Sequence, residues 1–515
     1  MKKLTIWTRV LSLLLCLVML GSILVACGPS GDEQAETAGD TRPADSNATG
    51  GEETPGATQK PNDVEELPEV NYGGKEFKML MRKSEFFVRD MYIPELTGKE
   101  STVDIAVYKR NKTVEAKYGV KLVAEQSTDG NMDTSQLTNI SQSGTCDYHI
   151  IANHGRAMFV YAINGALRNW NKMEYIDTSK VYWNQGMVED FTINGSLYCL
   201  AGDMSYQSLG ATVAMIFNKD VCAQIGEEYP YEAVLNGEWT FEMFERMVKK
   251  SGDGTGEQLD PDSGALMGYM TTQFRGPLTV LYSGGGSTVT LNDDKTKLEL
   301  SLYNSRNEQL FSDYFDLTDL PNCKIYGGYG TNIAKTFATG NILFFDTRLY
   351  DIKDIVNAGM EDYGVLPWPK YDKDVDGYYS WCDAVGNTFG IPKTFDTETN
   401  SFISVVLEAL CAEGYREVLP VYYEDVLQAQ YVDAAGVEMI NLIRDGRRYD
   451  IATYMMSGAP DGGKYGIGNC GYYLISYADH NFTTWWEETE ESAKSELARI
   501  NTIFSTVTDL EDLLG

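Results

Sequence analysis

The chain has 515 residues, 43% hydrophobic and 23% charged, and single cores stop growing near ~250–300 residues, so two or more lobes are expected. A formal net charge of −33, from 75 Asp+Glu against 42 Lys+Arg, argues against a nucleic-acid binder, which needs a basic face, and against a folded surface that clings to anionic lipid. Three histidines, His149, His154 and His480, without zinc-like spacing argue against a histidine-based metalloenzyme, while 33 Tyr, 19 Phe and 8 Trp leave room for an aromatic-lined site.

Residues 1–26 read as a secretory signal. Lys2, Lys3 and Arg9 give a positive start and Val10 to Val25 is almost wholly apolar. The run is shorter than the ~20 residues of a bilayer-spanning helix and stops at Leu24-Val25-Ala26-Cys27-Gly28. That pentapeptide resembles the lipobox of bacterial lipoproteins, which implies cleavage before Cys27 and its lipidation (diacylation, palmitate-type chains). The alternative is cleavage after Ala26 with an incidental cysteine. Loss of residues 1–26 removes three positive charges and no negative ones, leaving −36.

Residues 27–70 form an acidic tether. Between Gly28 and Val70 eleven acids stand against Arg42 and Lys60, and Tyr72 is the first aromatic residue. Such a stretch cannot bury enough apolar surface to offset its ordering entropy, and a diacyl group supplies the two chains that stable anchoring needs.

From Phe77 strand and helix signals alternate. Phe77–Met81 is a strand, Ser101 and Thr102 cap a helix carrying Val103, Val107, Val114 and Tyr118 up to Gly119, and Val120–Val123 and Tyr148–Ala152 are strands. Ala214–Phe217 is another strand, Thr240 caps a helix with Phe244, Met247 and Val248 inward, and Asn341–Phe345 is again a strand. Helices follow near Ser401–Ala412 and Glu491–Phe504. This pitch predicts an α/β fold of βαβ units with mainly parallel sheets and helices on their flanks, without an internal repeat. Once Cys16 and Cys27 are set aside, seven widely spaced cysteines remain, namely Cys146, Cys199, Cys222, Cys323, Cys382, Cys411 and Cys470. An odd, sparse set is not a disulfide scaffold and reads as buried small apolar residues.

Asp104–Asn111 with Lys117-Tyr118-Gly119-Val120, then Gly195–Tyr198 leading through Gly202-Asp203 into Met215–Asp220, then Glu238–Phe244, Phe337–Phe345, Gly364–Lys370 and Gly390–Lys393 follow one another in order. In this order the chain resembles the bacterial extracellular solute-binding lipoproteins of ABC importers, of the carbohydrate type with the periplasmic-binding-protein-like class II fold, over essentially all of Tyr72–Gly515. The resemblance implies two α/β lobes joined by hinge crossovers, with residues 71–203 and 341–383 in lobe 1 and residues 204–340 and 384–515 in lobe 2. It also implies a monomer without a cofactor, held to the extracellular face of the cell membrane, that passes a small solute to an ABC permease.

Ligands of open α/β sheets sit beyond the carboxyl ends of strands. Arg82 after the first strand and Asn153 and His154, with Gly155 and Arg156, after the third are therefore candidates, against ordinary polar loops. Asp203, Ser205 and Tyr206 fall on the first crossover implied by the resemblance, and Trp381 and Asp383 on the second. Carboxylates pair with sugar hydroxyls and aromatic faces stack on pyranoses, against core packing for Trp381 and a turn cap for Asp203. Asp346 and Arg348 end the strand Asn341–Phe345, with a structural ion pair as the alternative. Tyr282 precedes Gly284-Gly285-Gly286, which lacks the Lys-Ser/Thr of a phosphate loop. Asp372, Asp374 and Asp376 with Gly377 copy the first half of a calcium loop, and Asp383 falls at its twelfth place. Helices do not flank it, so a polar turn is preferred and no metal is assigned.

The favoured function is capture of an oligosaccharide, without turnover. A peptide or other small-solute binder on the same fold is second. A lipid-anchored glycoside hydrolase, which needs two carboxylates ~5–10 Å apart across the scissile bond, is third. No Gly-x-Ser-x-Gly elbow supports a serine hydrolase.

Overall fold

A computed structural model describes residues 67–511 except 129, 131, 253–257, 328–330, 424–433, 458–465 and 477–479. The signal, Cys27 and most of the tether lie outside the described residues. The strands are β1 (Lys75–Met81), β2 (Val120–Gln126), β3 (Ile150–His154), β4 (Val213–Asn218), β5 (Met267–Thr272), β6 (Val289–Leu291), β7 (Leu298–Leu300), β8 (Cys323–Tyr326), β9 (Ile342–Arg348), β10 (Tyr363–Leu366), β11 (Ser380–Trp381), β12 (Asn387–Gly390) and β13 (Arg447–Arg448). The helices that position the site are α1 (Glu85–Arg89), α2 (Thr102–Tyr118), α3 (Gly155–Ile163), α4 (Gln185–Phe191), α5 (Phe241–Lys250), α6 (Gly276–Ser283), α7 (Thr397–Glu413), α8 (Ile451–Met455) and α9 (Cys470–Ser476).

Local chemistry sets these boundaries. Ser101 and Asp104 exchange side-chain to backbone hydrogen bonds at the start of α2, and Gly119 at φ 60° ends it in the left-handed conformation. Val103, Val107, Val114 and Tyr118 are buried along one side. Thr240 caps α5 by accepting from the Met243 amide at 3.4 Å. The indole of the adjacent, fully buried Trp239 donates to the Pro367 carbonyl at 3.0 Å. Truncating a side chain so enclosed costs about 3–5 kcal/mol.

Two mixed sheets result. The first has the order β12-β3-β1-β2, with β1 parallel to β2 and β3 and with β12 antiparallel to β3. Leu200 exchanges both backbone hydrogen bonds with Phe389 on the free side of β12. The second has the order β10-β4-β9-β5-β8, with β5 parallel to β8 and β9, and β4 antiparallel to both β9 and β10. The plans match: a central strand, a parallel neighbour on each side, one reversed strand, then an outermost segment. In both sheets the reversed strand is the one that has just crossed over, β4 in the second and β12 in the first.

This pairing corrects the expected lobe ranges. Residues 342–348 and 363–366, expected in lobe 1, are strands of the second sheet, and residues 387–390, expected in lobe 2, belong to the first. Helix α7 likewise packs on α2. All six residues of β4 are buried, as are all but Arg348 of β9. Strands buried on both faces carry no alternation that says which sheet receives them.

The seven cysteines expected to be small buried residues are free thiols, six of them buried and Cys146 half-buried. Burial pushes the Cys222 thiol up to about 11 and Cys323 to about 12. Among the described residues no helix is long and apolar enough to cross a membrane.

Candidate functional site

At the end of β1, Arg82 is 1% exposed. Its guanidinium donates to the Val385 carbonyl and lies 3.2 Å from the centroid of the Phe87 ring. Nε and Nη1 are buried without a hydrogen-bond partner. Burial lowers its pKa to about 9. Close by, Asp90 accepts from the Ser205 hydroxyl and, at 3.0 Å, from the Asn387 amide. Burial pushes its carboxyl up to about 7 against these donors and against Arg82 and Arg110. Arg82 and Ser205 thus tie the two crossovers to the first sheet. Both are bonded inward.

At the end of β3, Asn153 donates to the Asp133 carbonyl at 2.8 Å. The His154 ring caps α3, with Nδ1 accepting from the Arg156 amide at 3.3 Å. Desolvation lowers its pKa to about 3; Asp383 opposes this, while Arg82, Arg156 and Arg348 add to it, so the ring is neutral. The backbone of Gly155 is approached closely by Tyr454: an added Cβ would lie 2.2 Å from its Cε1.

From the second sheet, Arg348 at the end of β9 donates to Asp351 at 2.8 Å and Asp383 at 3.2 Å, with its guanidinium 4.6 Å from the centroid of the Tyr350 ring. Asp346 is fully buried inside that sheet, and burial pushes it up to about 6 against Arg275 and the Thr271 hydroxyl. Arg275 donates to Thr272 and Thr347. On the first crossover, Tyr206 packs against Tyr422 at 4.8 Å, and the Asp203 carboxyl is pushed up to about 7 by burial despite Arg447 and Arg444. Trp381 is 2% exposed in the β11–β13 ladder. Tyr282 donates to Asp450 at 2.8 Å. In the Asp-rich turn, Asp372 pairs with Arg306 at 3.0 Å and Asp376 accepts from Tyr379. Among the described residues no three His, Cys, Asp or Glu side chains are grouped as metal ligands.

The structure therefore gathers Arg82, His154, Arg348 and Asp383 where the carboxyl ends of both sheets meet. It places Asp346 and Trp381 in packed interiors, and Tyr282 on Asp450 away from this junction. Sequence reasoning missed the partly exposed groups of this junction. Phe86 of α1 meets Tyr350 at 5.3 Å, with Lys353 Nζ 4.2 Å above the Phe86 ring. Phe274, two residues after β5, stacks on Tyr472 of α9 with centroids 5.1 Å apart and planes 2° from parallel. Ser476 donates to Gln273 at 3.1 Å, and Arg156 to Asn469 at 2.9 Å. The strand run Met267–Thr272 was the available signal for Phe274. Also missed was a third crossing after β13, where Asp450 accepts from Tyr282 and Thr288 near the second sheet while Tyr454 packs on Phe159 and Phe191 of α3 and α4.

The sequence matches no protein-family model and none of the curated proteins. Solved structures do match. UspC of M. tuberculosis superposes with a TM-score of 0.52 at 13% identity, covering 83% of this chain and 100% of that one. The cyclic α-maltosyl-1,6-maltose binding protein of Arthrobacter globiformis gives 0.52 at 13%, covering 84% and 99%. An ABC transporter solute-binding protein of Thermotoga lettingae bound with α-D-tagatose gives 0.50 at 16%, covering 84% and 100%. The likeness is one of fold, and the fold of this chain is that of the class II solute-binding proteins.

Proposed function

We propose that the protein is an extracellular solute-binding protein, tethered through a lipid on Cys27, that holds an oligosaccharide between its two sheets and presents it to an ABC permease. The observation that carries this reading is the meeting of the carboxyl ends of β1 and β3 with those of β5 and β9, three chain crossings beside them. A ligand touching both sides favours the closed arrangement through its differential contacts. The polar and aromatic groups at this junction suit a sugar. Phe86, Phe274 and Tyr472 offer ring faces, and Gln273, Asn469 and Arg156 offer amide and guanidinium groups. The fold's relatives of known ligand include binders of tagatose and of a cyclic maltosyl-maltose.

Hydrolysis fits the junction poorly. Asp351 and Asp383 both bond to Arg348, which holds two carboxylates on one cation instead of leaving them across a scissile bond. Incubating the protein from Gly28 onward with a glycan and peptide panel, and reading melting temperature and product formation together, separates the readings. A cognate oligosaccharide at about 100 times its Kd adds about 2.7 kcal/mol of apparent stability and stays intact. Cleavage at enzymatic rates overturns the proposal, and stabilisation by peptides alone replaces the solute class. For the anchor, Cys27→Ser in the full chain is expected to move the protein from the membrane fraction to the soluble one.

A further inference from the structure

Apart from the strand-end junction, a cavity of about 450 Å³ opens where three stretches of chain converge. Its walls are α4 with Asp190, Tyr379 and Arg448 at the β11–β13 ladder, the end of α6 with Tyr282, and the turn and strand that follow with Thr290. Of the residues singled out in the sequence, it takes in Tyr282 and, from the glycine run after it, Gly285 and Gly286. The volume lies within the ~300–1,000 Å³ of ordinary small-molecule sites.

The walls are braced from behind. Asp450, fully buried, accepts from Tyr282 at 2.8 Å and from Thr288 and Thr453. Arg448 lies flat on Tyr379, its guanidinium carbon 4.1 Å from the ring centroid, with Nη1 donating to the Arg447 carbonyl at 3.0 Å. Asp190 accepts from the Tyr449 amide at 3.3 Å on Oδ2. Burial pushes this carboxyl up to about 7 despite Arg448 and the Tyr449 amide.

We propose that this cavity is a second small-molecule site, for a neutral polyhydroxylated ligand of one or two rings. Both signs of charge line it, Asp190 opposite in sign to Arg448, so neither a bare anion nor a bare cation is favoured. A vicinal diol both donates and accepts, which answers a cavity lined by carboxyls and by a guanidinium. Apolar walls at Val289, Leu291 and Ile451 suit the C–H faces of a sugar ring. The proposal does not depend on what binds at the strand ends.

The test uses D-glucose, N-acetyl-D-glucosamine, maltose and cellobiose as probes, with saturation-transfer NMR titration on the protein from Gly28 onward. Asp190→Asn removes the carboxyl. Thr290→Trp fills the cavity from an exposed strand position, which keeps the test valid if Asp190→Asn misfolds. Phe274→Ala reports binding at the strand ends. At least one probe is expected to bind, with its Kd raised about tenfold or more by Asp190→Asn and Thr290→Trp. Failure of all four probes to bind overturns the proposal. So does a Kd that moves only with Phe274→Ala or that Thr290→Trp leaves unchanged.

Discussion

At the carboxyl end of β1 stand buried, inward-bonded charges, whereas just past that of β5 stands a partly exposed aromatic stack. Arg82 and Asp90 are sealed between β1 and the two crossovers, while Phe274 meets Tyr472 at a half-buried stack. One strand plan thus ends in two different chemistries. A polar residue after a strand is as often a fastening of the crossovers as a hand on the ligand, and exposure decides between them.

The comparison breaks most visibly at Asp90. Asp90→Ala leaves the Ser205 hydroxyl and one N–H of the Asn387 amide without their acceptor and removes the carboxyl from beside Arg82 and Arg110. The expected loss is about 3–5 kcal/mol by urea denaturation. A loss below about 1 kcal/mol would mean that the fastening is not structural.

Next comes Gly414, just after α7. A Cβ there would lie 2.0 Å from the Asp203 carbonyl oxygen, a backbone atom that cannot swing aside. Gly414→Ala should cost about 1–3 kcal/mol and shift the first crossover, readable as a lowered melting temperature.

Acidity sharpens the contrast further. Burial holds the carboxyls of Asp90, Asp190, Asp203 and Glu408 up at about 7. A carboxyl raised on folding stabilises most when protonated, so its contribution is complete below its unfolded pKa near ~4 and is lost as pH climbs through 7. Each such carboxyl should add about 0.8 kcal/mol as pH falls from 8 to 6.5. Below about 6.5 His149 and His154, lowered by burial to about 4 and about 3, act in the opposite direction, because the unfolded chain then binds protons that the folded rings refuse. Melting temperature should therefore rise from pH 8 to 6.5 and go on rising below it, because the four raised carboxyls outnumber the two lowered histidines. A monotonic fall over that first interval contradicts the buried-acid account.

Elements were legible in the sequence because their signals are local. Ser101 with Asp104, Gly119, and Thr240 behind Trp239 each mark a boundary within a few residues of themselves. Sheet membership was not local: Ile342–Phe345 and Thr388–Gly390 are apolar runs whose partners, β5 and β3, lie far off in sequence. The site divided in the same way. Arg82, His154, Arg348 and Asp383 were singled out by their place after strands and on a crossover, but burial, the property that turned Arg82 inward, is tertiary. Tyr472 was missed because only Phe274, distant in the chain, makes it a platform.

The smallest expected effect on stability separates the two regions most cleanly. Phe274 is partly exposed and stacks on Tyr472, so Phe274→Ala forfeits an aromatic contact worth about 0.5–1.5 kcal/mol, less than the loss at Asp90. If the proposed oligosaccharide lies on this stack, its affinity should nevertheless fall about tenfold. Titration calorimetry with the cognate sugar reads the affinity and urea denaturation the stability. A variant that loses stability without losing affinity would place Phe274 among the fastenings, with Arg82, and would move the solute away from the second sheet's strand ends.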